Sequence, residues 1–349
     1  MKKNLPNILI ISTHDTGRHF GCYGVPTAQT PAIDGLAAEG VKFSRMFAAS
    51  PICSPSRGAL LSGQYPLTNG LVGLAGGSWN WELADYRVHL SHRLRDLGYH
   101  TAMFGLQHET SHIDRMGFDD TACHGIKREG RERPATEVAA DFCTFLTSAR
   151  DDDTPFYAQV GFFETHTPYT FGDCPLDDEA GAWIPPYAKA HDWAPWQVIL
   201  NRFGGDPDAA RRHIAELQGS VHRVDAAVET ILDGVRKAGV EDNTLVLFTS
   251  DHGPELPGAK WTMYDAGLGI AFIMRWPDGG VGGGRECDWL LGNVDFLPTL
   301  YELLELEPPD DLEGESFAAA CRGDNAASQP PREVVFSNWI DGLNFSART

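Results

Sequence analysis

The sequence predicts an α/β fold: a mostly parallel central sheet with helices on both faces. Short apolar runs rich in Val, Ile and Phe alternate with longer segments of helical apolar spacing. That rhythm persists along the chain, as expected when helices join the strands of a parallel sheet. Residues with chemistry to offer fall just after the apolar runs, where ligands bind in open α/β sheets.

In chain order, Ile8–Ile11 reads as a first buried strand and Pro31–Glu39 as a helix. Val88–Leu97 is helical and leads into a second strand, Tyr99–Phe104. Thr136–Ala149 is a helix, Phe156–Phe163 a strand, and Ala209–Ala238 a long, charged, solvated amphipathic helix. Thr244–Thr249 and Ile270–Met274 are buried strands, and Val294–Leu304 a further helix. Thr167–Gly205, rich in Pro, Trp and Asp, is too long for a plain connection and reads as a functional lid or wall. Pro277–Gly284 is an exposed, glycine-rich turn. Pro308–Arg332 is a polar tail before an edge strand, Glu333–Ser337. His14-Asp15 follow the first strand, His108 the second, His166 the third and Asp251-His252 the fourth, so all should share one site.

With 42% hydrophobic residues over 349 positions, a packed core is expected rather than disorder. The chain holds 28 basic against 48 acidic residues, a net charge of −20. It should repel nucleic acid and anionic membranes, and any anion site must be built locally from a few cations and a metal. No apolar run approaches the roughly 20 residues of a membrane span. The run at Ile8 is too short for a signal segment, so a cytoplasmic location is the expectation. Seven scattered cysteines show no metal spacing and favour reduced thiols.

Cys53-Ser54-Pro55-Ser56-Arg57, continued by Gly58-Ala59-Leu60-Leu61-Ser62-Gly63, resembles the signature of the type I, formylglycine-dependent sulfatases. Pro6-Asn7-Ile8, Gly21-Cys22-Tyr23-Gly24, Thr249–Gly253 and Lys260–Gly267 extend the resemblance over nearly the whole chain. The Cys-Ser-Pro-Ser-Arg wording is that of the heparan N-sulfatase-like branch. The resemblance implies the alkaline phosphatase-like fold, with 1–307 as the catalytic domain. It also implies a small C-terminal subdomain, of which 308–349 would be a linker and an incomplete, truncated start.

The resemblance makes Cys53 the residue that a maturation enzyme converts to formylglycine. Pro55 suits a first helical turn, which sets Cys53 at a helix N-terminus where partial positive charge favours anions. Arg57 has a fork of donors for the nucleophile oxygen or a ligand carboxylate. His14, Asp15, Asp251 and His252 take the metal positions, with His14 where relatives carry aspartate. Ca²⁺ is the leading ion on the carboxylates, while two imidazoles also suit Mn²⁺ or Zn²⁺, and Mg²⁺ stays open. His108, His166 and Lys260 match family residues around the sulfate, while Leu106 replaces a lysine that relatives carry two positions before the histidine. Trp79, Trp81, Trp183, Trp193 and Trp196 could line a sugar or serve packing. The implied activity is hydrolysis of a sulfate ester or N-sulfo group on a small molecule or saccharide. The alternatives are a phosphonate monoester or phosphodiester hydrolase of the same fold and a catalytically silent metal- or sugar-binding relative.

Overall fold

The computed structural model describes residues 5–124, 133–147, 154–169, 183, 185, 207–324, 330–339 and 344–349. Most of the Thr167–Gly205 segment, including Trp193 and Trp196, lies outside the described residues.

Twelve strands are described: β1 Asn7–Thr13, β2 Val41–Phe43, β3 Met46–Phe47, β4 His100–Leu106, β5 Asp120–His124 and β6 Phe156–Gly161. They continue with β7 Thr244–Ser250, β8 Phe272–Arg275, β9 Arg285–Cys287, β10 Leu291–Gly292, β11 Val335–Trp339 and β12 Asn344–Arg348. Eight of them form one sheet in the order β5-β4-β6-β1-β7-β8-β2-β9. The pairings from β5 through β7 are all parallel, whereas β8 runs antiparallel to both of its neighbours. The mostly parallel sheet is therefore as expected, with an antiparallel step on one side.

Alternation along the strands explains the two-faced cover. Ile8 and Ile10 of β1, Leu245 and Leu247 of β7, and Phe272 and Met274 of β8 enter one apolar cluster. Covering them are Leu60 and Leu61 of helix α2 (Cys53–Ser62), Leu90 and Leu94 of helix Leu90–Asp96, and Phe296, Leu297 and Leu300 of helix Phe296–Leu303. Leu9, Ile11, Val246, Phe248 and Ile273 point the other way. They meet Ile33 and Leu36 of helix α1 (Pro31–Glu39), Val138 and Phe142 of helix Ala135–Thr147, and Val221, Val224 and Ile231 of helix Pro207–Lys237. Successive strand side chains face opposite sides, so each apolar run supplies both layers.

The expected elements are present with adjusted ends. The strand expected to reach Phe163 stops at Gly161. The helix expected from Val88 is split by His89, which ends a 3-10 turn and caps helix Leu90–Asp96. The strands β2, β5 and β9 were not anticipated; at three to five residues of mixed polarity they carry no periodic signal. The stretch after Pro308 is not merely a polar tail: Phe317 and Cys321 are fully buried in the first cluster. The edge strand lies at Val335–Trp339 and pairs antiparallel with β12. Its Ser337 hydroxyl donates to Ala48 O at 2.8 Å and its Asn338 N to Ala49 O at 2.8 Å, bracing the segment that leads into α2.

Candidate active site

The parallel strands end on one edge of the sheet, and the candidate residues collect there. The β1 ladder closes at Thr13, beside Ser250 at the end of β7. His14 and Asp15 thus emerge next to Asp251 and His252. Asp15 sits at φ +50°, an uncommon conformation for a non-glycine residue. Its amide donates to Asp251 Oδ1 at 2.9 Å and its carboxylate receives Lys260 Nζ, which hold it there.

Lys260 arrives by a close crossing of backbones. Gly253 N donates to Gly267 O at 2.8 Å, and a Cβ on Gly253 would lie 1.8 Å from Ala266 O. Only glycine permits that approach, which explains the glycine after Asp251-His252 and ties the 260–267 loop to the end of β7.

Cys53 is the first residue of α2, and no side chain caps that end. Its Sγ lies 3.3 Å from His252 Nε2 and 3.9 Å from both His14 Nδ1 and Asp15 Oδ1. His14 Nδ1 is 2.7 Å from Asp15 Oδ1 and 3.4 Å from Asp251 Oδ2, while its Nε2 meets His108 Nδ1 at 3.0 Å. His252 Nε2 is 3.1 Å from Asp15 Oδ1, and its Nδ1 engages Gly253 O at 2.9 Å. That outer bond turns Nε2 toward the cluster, where Asp251, Cys53 and Asp15 outweigh burial and raise His252 well above the usual imidazole range. Arg57 donates from Nε to Asp251 Oδ2 at 3.1 Å and from Nη2 to Thr13 O at 3.0 Å, fixing the carboxylate against the end of β1. His166, a quarter exposed at the opening, places Nε2 3.4 Å from Lys260 Nζ and 3.7 Å from Asp15 Oδ2. The nine residues named from the sequence as catalytic or metal-holding candidates therefore lie in this one constellation.

The electrostatics follow from burial and mixed charge. Burial alone would raise the Cys53 thiol, but His14, Lys260, His108 and His252 hold it well below its usual range. Burial opposes charge on His14 too, yet Cys53, Asp251 and Asp15 lift it to about 9. Asp15 is held well below the usual carboxylate range by Lys260, His14 and His252, which outweigh its burial. His108 is pushed down to about 4, chiefly by burial, and is a neutral base near pH 7. His166 is also lowered by burial, whereas Asp15 holds Lys260 charged against its desolvation.

Side chains that sequence reasoning passed over complete the surround. Glu109, buried beside His108, accepts from His108 N and from Gln159 Nε2, each at 3.0 Å, with Arg57 Nη1 3.9 Å away. The Ser56 hydroxyl donates to Asp251 O, and Asn293 Nδ2 donates to Ser56 O at 2.9 Å. Ser54 and Ser56 stood inside the cysteine motif, whereas Glu109 and Asn293 had no local signal. Trp81 packs on Gly73 within the loop, while Trp79 is 81% exposed.

His14, Asp15, Cys53, Asp251 and His252 each offer a ligand atom, all within 4.8 Å of one another. Two carboxylates and two imidazoles are a donor set that fits a divalent ion, and Lys260 and Arg57 orient the carboxylates. Among the described residues no helix is long and apolar enough to cross a membrane.

A sequence profile for sulfatases matches residues 6–306. The chain is 28% identical to an ulvan-active sulfatase of Formosa agariphila, over 95% of this chain and 68% of that protein. It is 28% identical to human N-sulphoglucosamine sulphohydrolase, over 87% of this chain and 61% of that protein. Against two further ulvan-active sulfatases it spans only 60% and 54% of their length. Among solved structures, a 2-O GAG sulfatase superposes with a TM-score of 0.76 at 23% identity, covering 96% of this chain and 78% of that one. The phosphonate monoester hydrolase of Agrobacterium radiobacter gives a TM-score of 0.75 at 22% identity, covering 96% of this chain and 80% of that one. Both share the fold.

Proposed function

Since this chain belongs to the sulfatase family, we propose that it hydrolyses a sulfate ester or N-sulfo group on a saccharide or small molecule after Cys53 becomes formylglycine. The observation that carries the reading is the position of Cys53: the first residue of α2, with His252 Nε2 3.3 Å from its sulfur. The relatives named for ulvan and for N-sulphoglucosamine favour a sulfated sugar as the substrate class.

His14, Asp15, Asp251 and His252 would hold one divalent ion, which supplies Lewis-acid stabilisation of charge on a transferring group. Ca²⁺ leads on the two carboxylates, and the imidazoles of His14 and His252 keep Mn²⁺ and Zn²⁺ in contention. A maturation enzyme is the required partner, and formylglycine supplies a hydrated aldehyde, with one hydroxyl to attack and a second to release the product.

The chain's own groups divide the remaining work. Arg57 keeps Asp251 in place, and the Gly253 carbonyl keeps His252 Nε2 turned inward. The α2 N-terminus and Lys260 present positive charge to the sulfuryl oxygens. Lys260 and His166, in contact at the opening, hold the proton that the leaving oxygen or nitrogen must receive. His108, neutral and 3.0 Å from His14, is placed to accept a proton on the inner side.

The test pairs mass spectrometry of the Cys53 peptide with turnover, after co-expression with a maturation enzyme, of an aryl sulfate, N-sulfoglucosamine and a phenylphosphonate monoester. Formylglycine with sulfate release is the expected result. Preference for the phosphonate would instead place the chain with the hydrolases of phosphorus esters. Formylglycine with no turnover of any sulfate would overturn the reading.

A further inference from the structure

The cysteine form of this site has a chemistry of its own. A zinc-class ion binds nitrogen and sulfur at about 2.0–2.3 Å, which at tetrahedral angles separates ligand atoms by about 3.3–3.7 Å. Sγ of Cys53 to His252 Nε2 is 3.3 Å, Sγ to Asp15 Oδ1 is 3.9 Å, and His252 Nε2 to Asp15 Oδ1 is 3.1 Å. His14 Nδ1 stands 3.9 Å from the sulfur and 3.4 Å from Asp251 Oδ2. Ligand atoms of three types from five residues thus converge, and the separations quoted, with 2.7 Å from His14 Nδ1 to Asp15 Oδ1, bracket the edges of a small coordination polyhedron.

We infer that the unconverted chain is a soft-metal site, in which the Cys53 thiolate joins His252, His14 and the carboxylates of Asp15 and Asp251 on one zinc-class ion. The surround is already built for this: Gly253 O holds the outer nitrogen of His252, His108 meets that of His14, Arg57 braces Asp251 and Lys260 braces Asp15. A thiolate ligand selects Zn²⁺, Co²⁺ or Cd²⁺ over Ca²⁺, which takes oxygen. Replacing that sulfur by the oxygens of formylglycine removes the soft ligand, so conversion shifts the preference of the same pocket toward harder ions. The inference rests on the metal site proposed above and not on catalysis.

The test uses full-length chain made without a maturation enzyme, its unmodified Cys53 established by peptide mass. Titration with Co²⁺ should saturate at one ion per chain and develop thiolate-to-cobalt charge-transfer absorption. C53A and C53S, each shown folded by thermal melting, should lose that absorption. Both should also weaken Zn²⁺ binding in a competition titration by at least roughly 10–100-fold, the loss that removing even an outer partner of a ligand causes. One bound Co²⁺ without the thiolate band overturns the inference, as does a band that both variants retain. Converted protein that turns over sulfate while the cysteine form binds no ion sinks the inference alone. A thiolate–cobalt band in the cysteine form with an inactive converted form sinks the proposed function alone.

Discussion

At the scale of single residues, the site works by balancing buried charge. Asp15 and Asp251 are buried beside Lys260 and Arg57, and each cation is positioned by the carboxylate it offsets. Lys260 is the one of these groups that also reaches the opening through His166. Replacing it by alanine should lower kcat on the order of 10²–10³-fold, the usual effect of losing one preorganised oxyanion partner. Steady-state kinetics on an aryl sulfate decides this, and a loss below about fivefold would remove Lys260 from the reaction. His89 illustrates a different residue-level constraint. Its Nδ1 accepts from Ser91 N at 3.1 Å to cap helix Leu90–Asp96, and burial, with His92 and Arg93 nearby, pushes it down to about 3. Its folded value lies below the unfolded one of about 6.5. The unfolded chain therefore binds the extra proton between pH 6.5 and 3, and stability present above that window is lost as pH falls through it. The slope from this group reaches about 1.4 kcal/mol per pH unit. In His89→Asn, where the amide oxygen can still cap the helix, denaturation free energies should fall less steeply between pH 6 and 4. An unchanged slope would show that His89 is not held neutral.

At the scale of elements, two glycines make opposite predictions from the same substitution. Gly253 crosses the 260–267 loop so closely that a Cβ would lie 1.8 Å from a carbonyl oxygen. Gly253→Ala should destabilise by at least about 1–3 kcal/mol, as overpacking does, and should loosen Lys260 with it. Gly35 lies inside α1, where an added Cβ meets nothing within 4 Å. Gly35→Ala should stabilise by about 0.4–1 kcal/mol through the reduced freedom of the unfolded chain. Urea titrations of the pair read both signs directly. Equal effects would mean that backbone propensity, not the crossing, explains the glycine in the Asp-His-Gly motif. The helix α2 makes the same point structurally: its lack of a side-chain cap leaves its N-terminal end, with Cys53, for the site.

At the scale of the molecule, a chain of net charge −20 repels the anionic substrate proposed for it at long range. Raising salt from about 10 mM to 150 mM shortens the screening length from about 30 Å to 8 Å. For a highly sulfated oligosaccharide, kcat/KM should therefore rise over that range, and rise less for a singly charged aryl sulfate. A steady fall for both would mean that attraction near the site dominates over the whole-chain field. The strands and helices that were legible in advance were those with long apolar patterns, such as Asn7–Thr13 and Pro207–Lys237, because burial on two faces or one stripe writes a period into the residues. The candidate residues were legible because strand ends and a cysteine motif mark most of them locally, while Lys260 was legible only through the family resemblance of Lys260–Gly267. What only the tertiary structure decided were relations between distant segments: the antiparallel step at β8, the burial of Phe317, the bond from His108 to His14, and Glu109 behind Arg57. Each depends on which backbones pack together, and no local period or spacing encodes that choice.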